Sequence, residues 1–180
     1  MYSIEEVQNL YRKGKPLEFL FFSGHQKTLN GNITKSCLSQ WYQCVFEMND
    51  VKYTCAEQYM MAEKARLFKD EGALKDILNA YHPNQMKLIG KKVKNFNQDI
   101  WDKEKMSIVK IGNMAKFSQN PKIKRFLIGT YTKVLVKTNE YDNIWGIGLG
   151  KNDENLTNPL KWNGENLLGF ILMNVRDILS

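Results

Sequence analysis

Paired cysteines, clustered histidines and long apolar runs are all missing from this 180-residue chain, and each absence closes off a class of protein. Three cysteines, Cys37, Cys44 and Cys55, are an odd number at spacings that suggest no disulfide framework, so they read as reduced thiols of a cytoplasmic protein. His25 and His82 are the only histidines and no two cysteines are closely spaced, so the ligands of a zinc site are lacking and no metal is expected. The longest apolar stretches, residues 19–22 and 167–173, are too short to span a bilayer, and no membrane partner is expected. The opening Met1-Tyr2-Ser3-Ile4-Glu5-Glu6 has neither the basic nor the apolar region of a secretory signal. Internal repeats, low-complexity tracts and linkers are lacking, as is the Gly-x-x-x-x-Gly-Lys-Ser/Thr loop that cradles nucleotide phosphates.

What is present is the composition of one globular domain: 43% hydrophobic and 25% charged residues, in a chain long enough to bury a core without staples. The formal net charge is +7, which favours anionic partners such as phosphates, nucleotides or nucleic acid, or else marks a lysine-rich chain that keeps itself soluble.

Ser3 and Glu6 form a capping box that predicts a short helix to about Lys13, ended by Gly14 and Pro16. Residues 17–22 predict a buried strand, 24–36 a loop, and 43–48 with 51–53 a hairpin turning at Asn49-Asp50. Helical patterns follow over 55–68, 73–79, 85–89, 98–117, 123–128 and 167–179, with a β-branched strand over 132–137. Residues 140–164 are rich in Gly, Asn, Asp and Trp with little periodicity, and loops of that length are usually functional. The expected fold class is therefore α+β: a helix-rich single domain around a small β-sheet, residues 17–180, preceded by an N-terminal helical extension, residues 1–16.

Candidate chemistry begins at Glu57. Thr54-Cys55-Ala56-Glu57 reads as a capping box with Thr54 as N-cap, so Glu57 is either a carboxylate reaching back to the Thr54 amide or one presented at a helix start for catalysis. Lys64 lies seven residues on, two helical turns and about 10 Å along the same face. In a helix apolar over most of its circumference, such a lysine either snorkels to the surface or sits desolvated in a cleft as a potential nucleophile. A second cluster runs from Glu140 to Gly150. Asp142 supplies another carboxylate there, Trp145 a face for stacking, and Gly146, Gly148 and Gly150 close backbone approach or positive φ. The spacing is not that of the dinucleotide fingerprint, and no cofactor is expected. Trp101 near the start of the longest helix is either a core anchor or a ligand platform. The basic run Lys87, Lys91, Lys92 and Lys94 is a solvated face or a phosphate contact. Asn166 either caps the last helix or donates to a ligand oxygen.

Together these segments resemble one family, the NADAR or YbiA-like N-glycosidases, which act on NAD- and ADP-ribose-derived or ribosylaminopyrimidine substrates. The matching pieces are Leu38-Ser39-Gln40-Trp41-Tyr42, the stretch from Tyr53 to Ala65, Gly90 ahead of Trp101-Asp102, Asn113-Met114-Ala115-Lys116-Phe117, Asp142 to Gly148, and Asn166-Leu167-Leu168-Gly169 with Leu172-Met173 and Val175-Arg176. They come in the family's order and cover about residues 19–179. The resemblance implies that Glu57, Trp101 and Asp142 are needed for activity and that Lys64 attacks the sugar through a Schiff base. It further implies that Ser39, Gln40, Trp41, Trp145, Gly146, Gly148 and Asn166 line the substrate pocket. Gln40 stands where many members have asparagine, and Lys91 follows Gly90 where arginine is usual; these departures bear on substrate identity, not on reaction class.

The function so implied is hydrolysis of the ribose C1–N bond of an ADP-ribosylated guanine, in DNA or as a nucleotide, since residues 38–42 and 145–148 look closer to that branch. The alternatives are hydrolysis of ribosylaminopyrimidine phosphates from riboflavin synthesis and, from another class, a non-catalytic ADP-ribose or nucleic-acid reader.

Overall fold

The computed structural model describes residues 2–180 and divides into two compact units, Met1–Ser39 with Lys122–Ser180, and Gln40–Pro121. The fold is α+β and helix-rich, as expected, and among the described residues its strands form two small two-stranded sheets.

In the first unit, helix α1 (Ile4–Arg12) starts as expected, with the Ser3 hydroxyl accepting from the Glu6 N–H at 3.2 Å. Strand β1 (Phe19–Phe22) pairs in parallel with β4 (Val134–Lys137), Phe19 opposite Val134 and Phe22 opposite Lys137. Helix α6 (Pro121–Ile128) leads towards β4, and helix α7 (Leu167–Leu179) lies against that strand. Its Gly169 is required there, because a Cβ would sit 2.0 Å from the Leu135 carbonyl oxygen. Leu168, Leu172 and Val175 of α7 are fully buried. The Arg176 guanidinium is buried too, donating to the Thr130 hydroxyl (3.1 Å) and the Lys133 carbonyl (2.8 Å).

The second unit opens with the hairpin β2 (Phe46–Met48) and β3 (Val51–Tyr53). Asn49 and Asp50 have φ of 51° and 61°, the left-handed pair that a two-residue turn needs and that short polar side chains tolerate. Helices α2 (Ala56–Leu67), α3 (Glu71–Asn79), α4 (Pro83–Gly90) and α5 (Gln98–Ser118) follow, with α3, α4 and α5 all packed on α2. Such enclosure explains why eight of the twelve residues of α2 are buried. Two close approaches set the packing: a Cβ on Gly90 would meet Met61 Sδ at 2.0 Å, and one on Gly112 would meet the Tyr59 ring at 2.4 Å.

Candidate functional site

The helix expected to carry the chemistry begins one residue later than the sequence suggests. Cys55, not Thr54, is the N-cap of α2, with extended backbone (φ −162°, ψ 164°) and no side-chain cap bond. The expected Thr54–Glu57 capping box is therefore not formed. Gln58 takes that place: its Oε1 accepts from the Thr54 N–H at 2.8 Å and from the Thr54 hydroxyl at 3.1 Å. Its Nε2 donates to the Ile77 and Leu78 carbonyls at 3.0 and 3.2 Å. The physical reason for the shift is that a buried amide meets acceptors and donors at once, whereas a carboxylate here would face two carbonyls with no proton to offer. Glu57 thus sits at the second helical position, only 4% exposed, and its N–H donates to the Gln40 carbonyl at 2.9 Å. This bond satisfies one of the amides a helix start leaves open. The Thr54 amide, which competed for the Glu57 carboxylate in the sequence reading, is held by Gln58.

Two turns on, Lys64 is half-buried, and desolvation pulls its ammonium pKa below the ordinary lysine value. Its Nζ does not simply snorkel outward: it lies 4.2 Å from the Phe96 ring centroid and 5.4 Å from that of Trp101. Trp101, in the first turn of α5, is half-buried, and Phe96 is exposed on one side and edge-on to Phe68. Two aromatic faces therefore flank one amine. Trp41 is half-buried, edge-on to His82 at 6.3 Å, with Lys87 Nζ 5.9 Å from its centroid. Gln40 is buried, its Oε1 accepting from Asn113 Nδ2 at 2.8 Å. The Cys55 thiol is no nucleophile: burial, with a smaller contribution from the Glu57 charge, pushes it up to about 11.

The remaining expected residues belong to the other unit. Ser39 is half-buried at the end of a short 3-10 helix, Lys35–Leu38. Asp142 uses both carboxylate oxygens locally: Oδ2 accepts from Lys137 Nζ at 2.5 Å and Oδ1 from the Trp145 N–H at 2.9 Å. Burial pushes its pKa up, but the Lys137 charge and hydrogen bond, with the Trp145 and Ile144 amides, outweigh it and hold the carboxyl below the ordinary aspartate value. Gly148 has positive φ (65°), as foreseen. Gly146 is needed for close packing, since its Cβ would lie 2.9 Å from the Lys137 carbonyl oxygen. Trp145 is half-buried beside it. Asn166 occupies the N-cap position of α7 in the left-handed region (φ 54°) but makes no cap bond. Its Nδ2 donates to the Leu135 carbonyl (2.9 Å) and its Oδ1 accepts from the Lys137 N–H (3.0 Å), tying the helix start to β4.

Two features escaped the sequence reading. Phe96 lies in a polar loop, where nothing marks an aromatic as a partner of Lys64. Lys116 is fully buried, and a signal for it does exist: Val109, Gly112, Asn113, Lys116 and Phe117 recur at the spacing of one helix face.

No group of three or more His, Cys, Asp and Glu among the described residues is arranged to hold a metal ion, and no helix among them is long and apolar enough to cross a membrane. The family model of the NADAR domain matches residues 21–180. N-glycosidase R617 of Acanthamoeba polyphaga mimivirus is 41% identical over 165 residues, covering 89% of this chain and 95% of that protein. Protein irg-1 of Caenorhabditis elegans is 36% identical over 131 residues, covering 72% of this chain and 62% of that protein. N-glycosidase YbiA of Escherichia coli is 28% identical over 126 residues, covering 69% of each chain. The NMR structure of the E. coli protein YbiA has the same fold, with a TM-score of 0.72 at 22% identity over 90% of this chain and 84% of that one. With a family match over nearly its whole length, this chain belongs to the NADAR domain family.

Proposed function

We propose that the chain is an N-glycosidase that hydrolyses the bond between ribose C1 and a base nitrogen, and that its substrate is an ADP-ribosylated guanine in nucleic acid or as a nucleotide. The names of two relatives, both N-glycosidases, support the reaction class. The observation that carries the assignment to residues is a buried carboxylate, Glu57, in the first turn of the same helix on which the half-buried Lys64 amine lies between the Phe96 and Trp101 rings. The net charge of +7 suits a substrate bearing phosphates.

Cleavage of the C1–N bond builds positive charge on the sugar, and a carboxylate preorganised in a dry site stabilises it far better than water does. Glu57 fills that role. Lys64, whose proton is more easily lost because of burial, attacks C1 through its amine nitrogen while the C1–N electron pair leaves with the base, and the proton the alkylated nitrogen gives up goes to that base. The ring opens to an imine, and water then releases the sugar and restores the amine. The rings of Phe96 and Trp101 provide stacking faces beside the amine. Asp142, already held ionised, acts as a charge and hydrogen-bond acceptor and not as the proton donor.

The test is to incubate the full chain with an ADP-ribosylated guanine oligonucleotide and, separately, with a ribosylaminopyrimidine phosphate. Release of ADP-ribose supports the proposal; release of ribose 5-phosphate moves the substrate to the second class, and binding without turnover makes the chain a reader. Glu57→Gln should slow ADP-ribose release by at least about a hundredfold. Borohydride added during turnover should attach the sugar to Lys64, and an active enzyme that never labels sinks the imine.

A further inference from the structure

We infer that Lys116 is a positioning residue for Glu57, its buried ammonium serving as the counter-charge that keeps the carboxylate ionised and aimed at the start of α2. The inference rests on the catalytic role proposed for Glu57. Lys116 has no exposed surface, and its Nζ lies 4.9 and 5.9 Å from the Phe117 and Tyr42 ring centroids. Ring faces alone do not compensate an ammonium removed from water; an opposite charge is needed. Within the Gln40–Pro121 unit the buried charged side chains are Glu57, Asp70 and Lys116. Asp70 is committed elsewhere, capping α3 through the Ala73 N–H (3.0 Å) and binding the Lys94 N–H (2.8 Å). That leaves Glu57.

The framework brings the two together. Helix α5 meets α2 where Gly112 faces the Tyr59 ring, two residues beyond Glu57. One residue along α5, Asn113 Nδ2 holds Gln40 Oε1, and the Gln40 carbonyl holds the Glu57 N–H. Lys116 follows Asn113 by three residues, on the same helix face. Both charges also act on one atom: the buried Cys55 thiol, the N-cap of α2, is raised by Glu57 and lowered by Lys116. The pair differs from a surface salt bridge in that neither member is in bulk solvent to reorient, which is the condition for electrostatic preorganisation.

The experiment compares Glu57→Gln, Lys116→Met, Lys116→Arg and the double variant Glu57→Gln/Lys116→Met in the full chain. On the ADP-ribosylated guanine oligonucleotide, Lys116→Met should lower kcat by at least about a hundredfold while KM moves less than about threefold. Lys116→Arg should recover at least about tenfold of that loss, because it restores the charge. Adding Lys116→Met to Glu57→Gln should change kcat by less than about threefold, as the charge to be positioned is gone. In urea unfolding, the double variant should be at least about tenfold more stable, as an equilibrium constant, than the two single losses multiplied. A folded Lys116→Met enzyme with wild-type kcat overturns the inference. So does a multiplicative unfolding cycle, or borohydride labelling of Lys116 itself, which would make it a nucleophile. Should Lys116→Met not fold, Lys116→Arg carries the kinetic test and must keep more activity than Glu57→Gln. Should the wild-type chain cleave none of the substrates, the functional reading fails while the unfolding cycle still decides the pairing.

Discussion

Replacing Gln58 tests whether the cap of α2 has passed from Glu57 to its neighbour. The side chain is 2% exposed and makes four hydrogen bonds between 2.8 and 3.2 Å, two accepted from Thr54 and two donated to Ile77 and Leu78. Truncation to alanine strands at least the Thr54 N–H and the Ile77 carbonyl. At about 1–3 kcal/mol per buried group left unsatisfied, Gln58→Ala should cost about 2–6 kcal/mol, a large share of a small domain's stability. Gln58→Glu sharpens the test, since it keeps the acceptor for Thr54 but turns a second oxygen towards two carbonyls. It should be at least as destabilising as the alanine, although it conserves shape. Urea unfolding followed by tryptophan fluorescence reads both, through the midpoint at constant slope. If Gln58→Glu unfolds with the wild-type midpoint, the amide donors have no structural role, the offset cap is wrong, and Glu57 returns to being a helix cap.

Three other outcomes follow from the geometry. Asp142→Asn keeps the acceptor for the Trp145 N–H but strands the half-buried Lys137 ammonium, so it should cost about 1–3 kcal/mol at pH 7. Because the folded carboxyl titrates below the unfolded one, this stabilisation is complete above the unfolded value of about 3.9 and is lost as pH falls through the folded value; a wild-type–variant gap in urea midpoint that does not narrow as pH is lowered below about 3.9 refutes it. Gly112→Ala drives a Cβ into the Tyr59 ring and should destabilise by about 1–3 kcal/mol of overpacking, partly offset by about 1 kcal/mol of helix propensity, with Tyr59→Leu relieving the clash in a double variant. The 13Cε resonance of Lys64 should titrate below the ordinary lysine value, and a normal titration would show that burial does not ease loss of its proton.

How much of this was legible beforehand divides along physical lines. Local signals came through: the Ser3 cap, the Asn49-Asp50 turn and the helix over residues 167–179 depend on neighbours in sequence. The start of α2 went wrong by one residue because Thr54 and Cys55 are both able to precede a helix, and the choice was made by carbonyls from the end of α3, which no local pattern contains. The same limit hid the duty of Asn166, whose partners on β4 lie 31 and 29 positions away. Lys116 runs against composition: lysine is usually solvated, and only its place on the stripe of Val109, Gly112, Asn113 and Phe117 marks it as buried.

The one-residue offset alters the meaning of the motif. Had Thr54 capped the helix, Glu57 would have been the third helical residue, its carboxylate spent on a backbone amide and its orientation a by-product of capping. As the second residue, Glu57 has its N–H on the Gln40 carbonyl, and Gln58 takes the Thr54 amide that the carboxylate would have capped. A buried carboxylate needs a counter-charge, and the buried cation of the same unit is Lys116. The two readings of Glu57, structural and catalytic, thereby separate experimentally. Gln58 substitutions should act on stability, Lys116 substitutions on kcat through Glu57, and Glu57→Gln should erase the kinetic effect of Lys116 while leaving the stability effect of Gln58 intact. A Gln58 effect on stability that vanishes in the Glu57→Gln background would show that the carboxylate shares the cap after all.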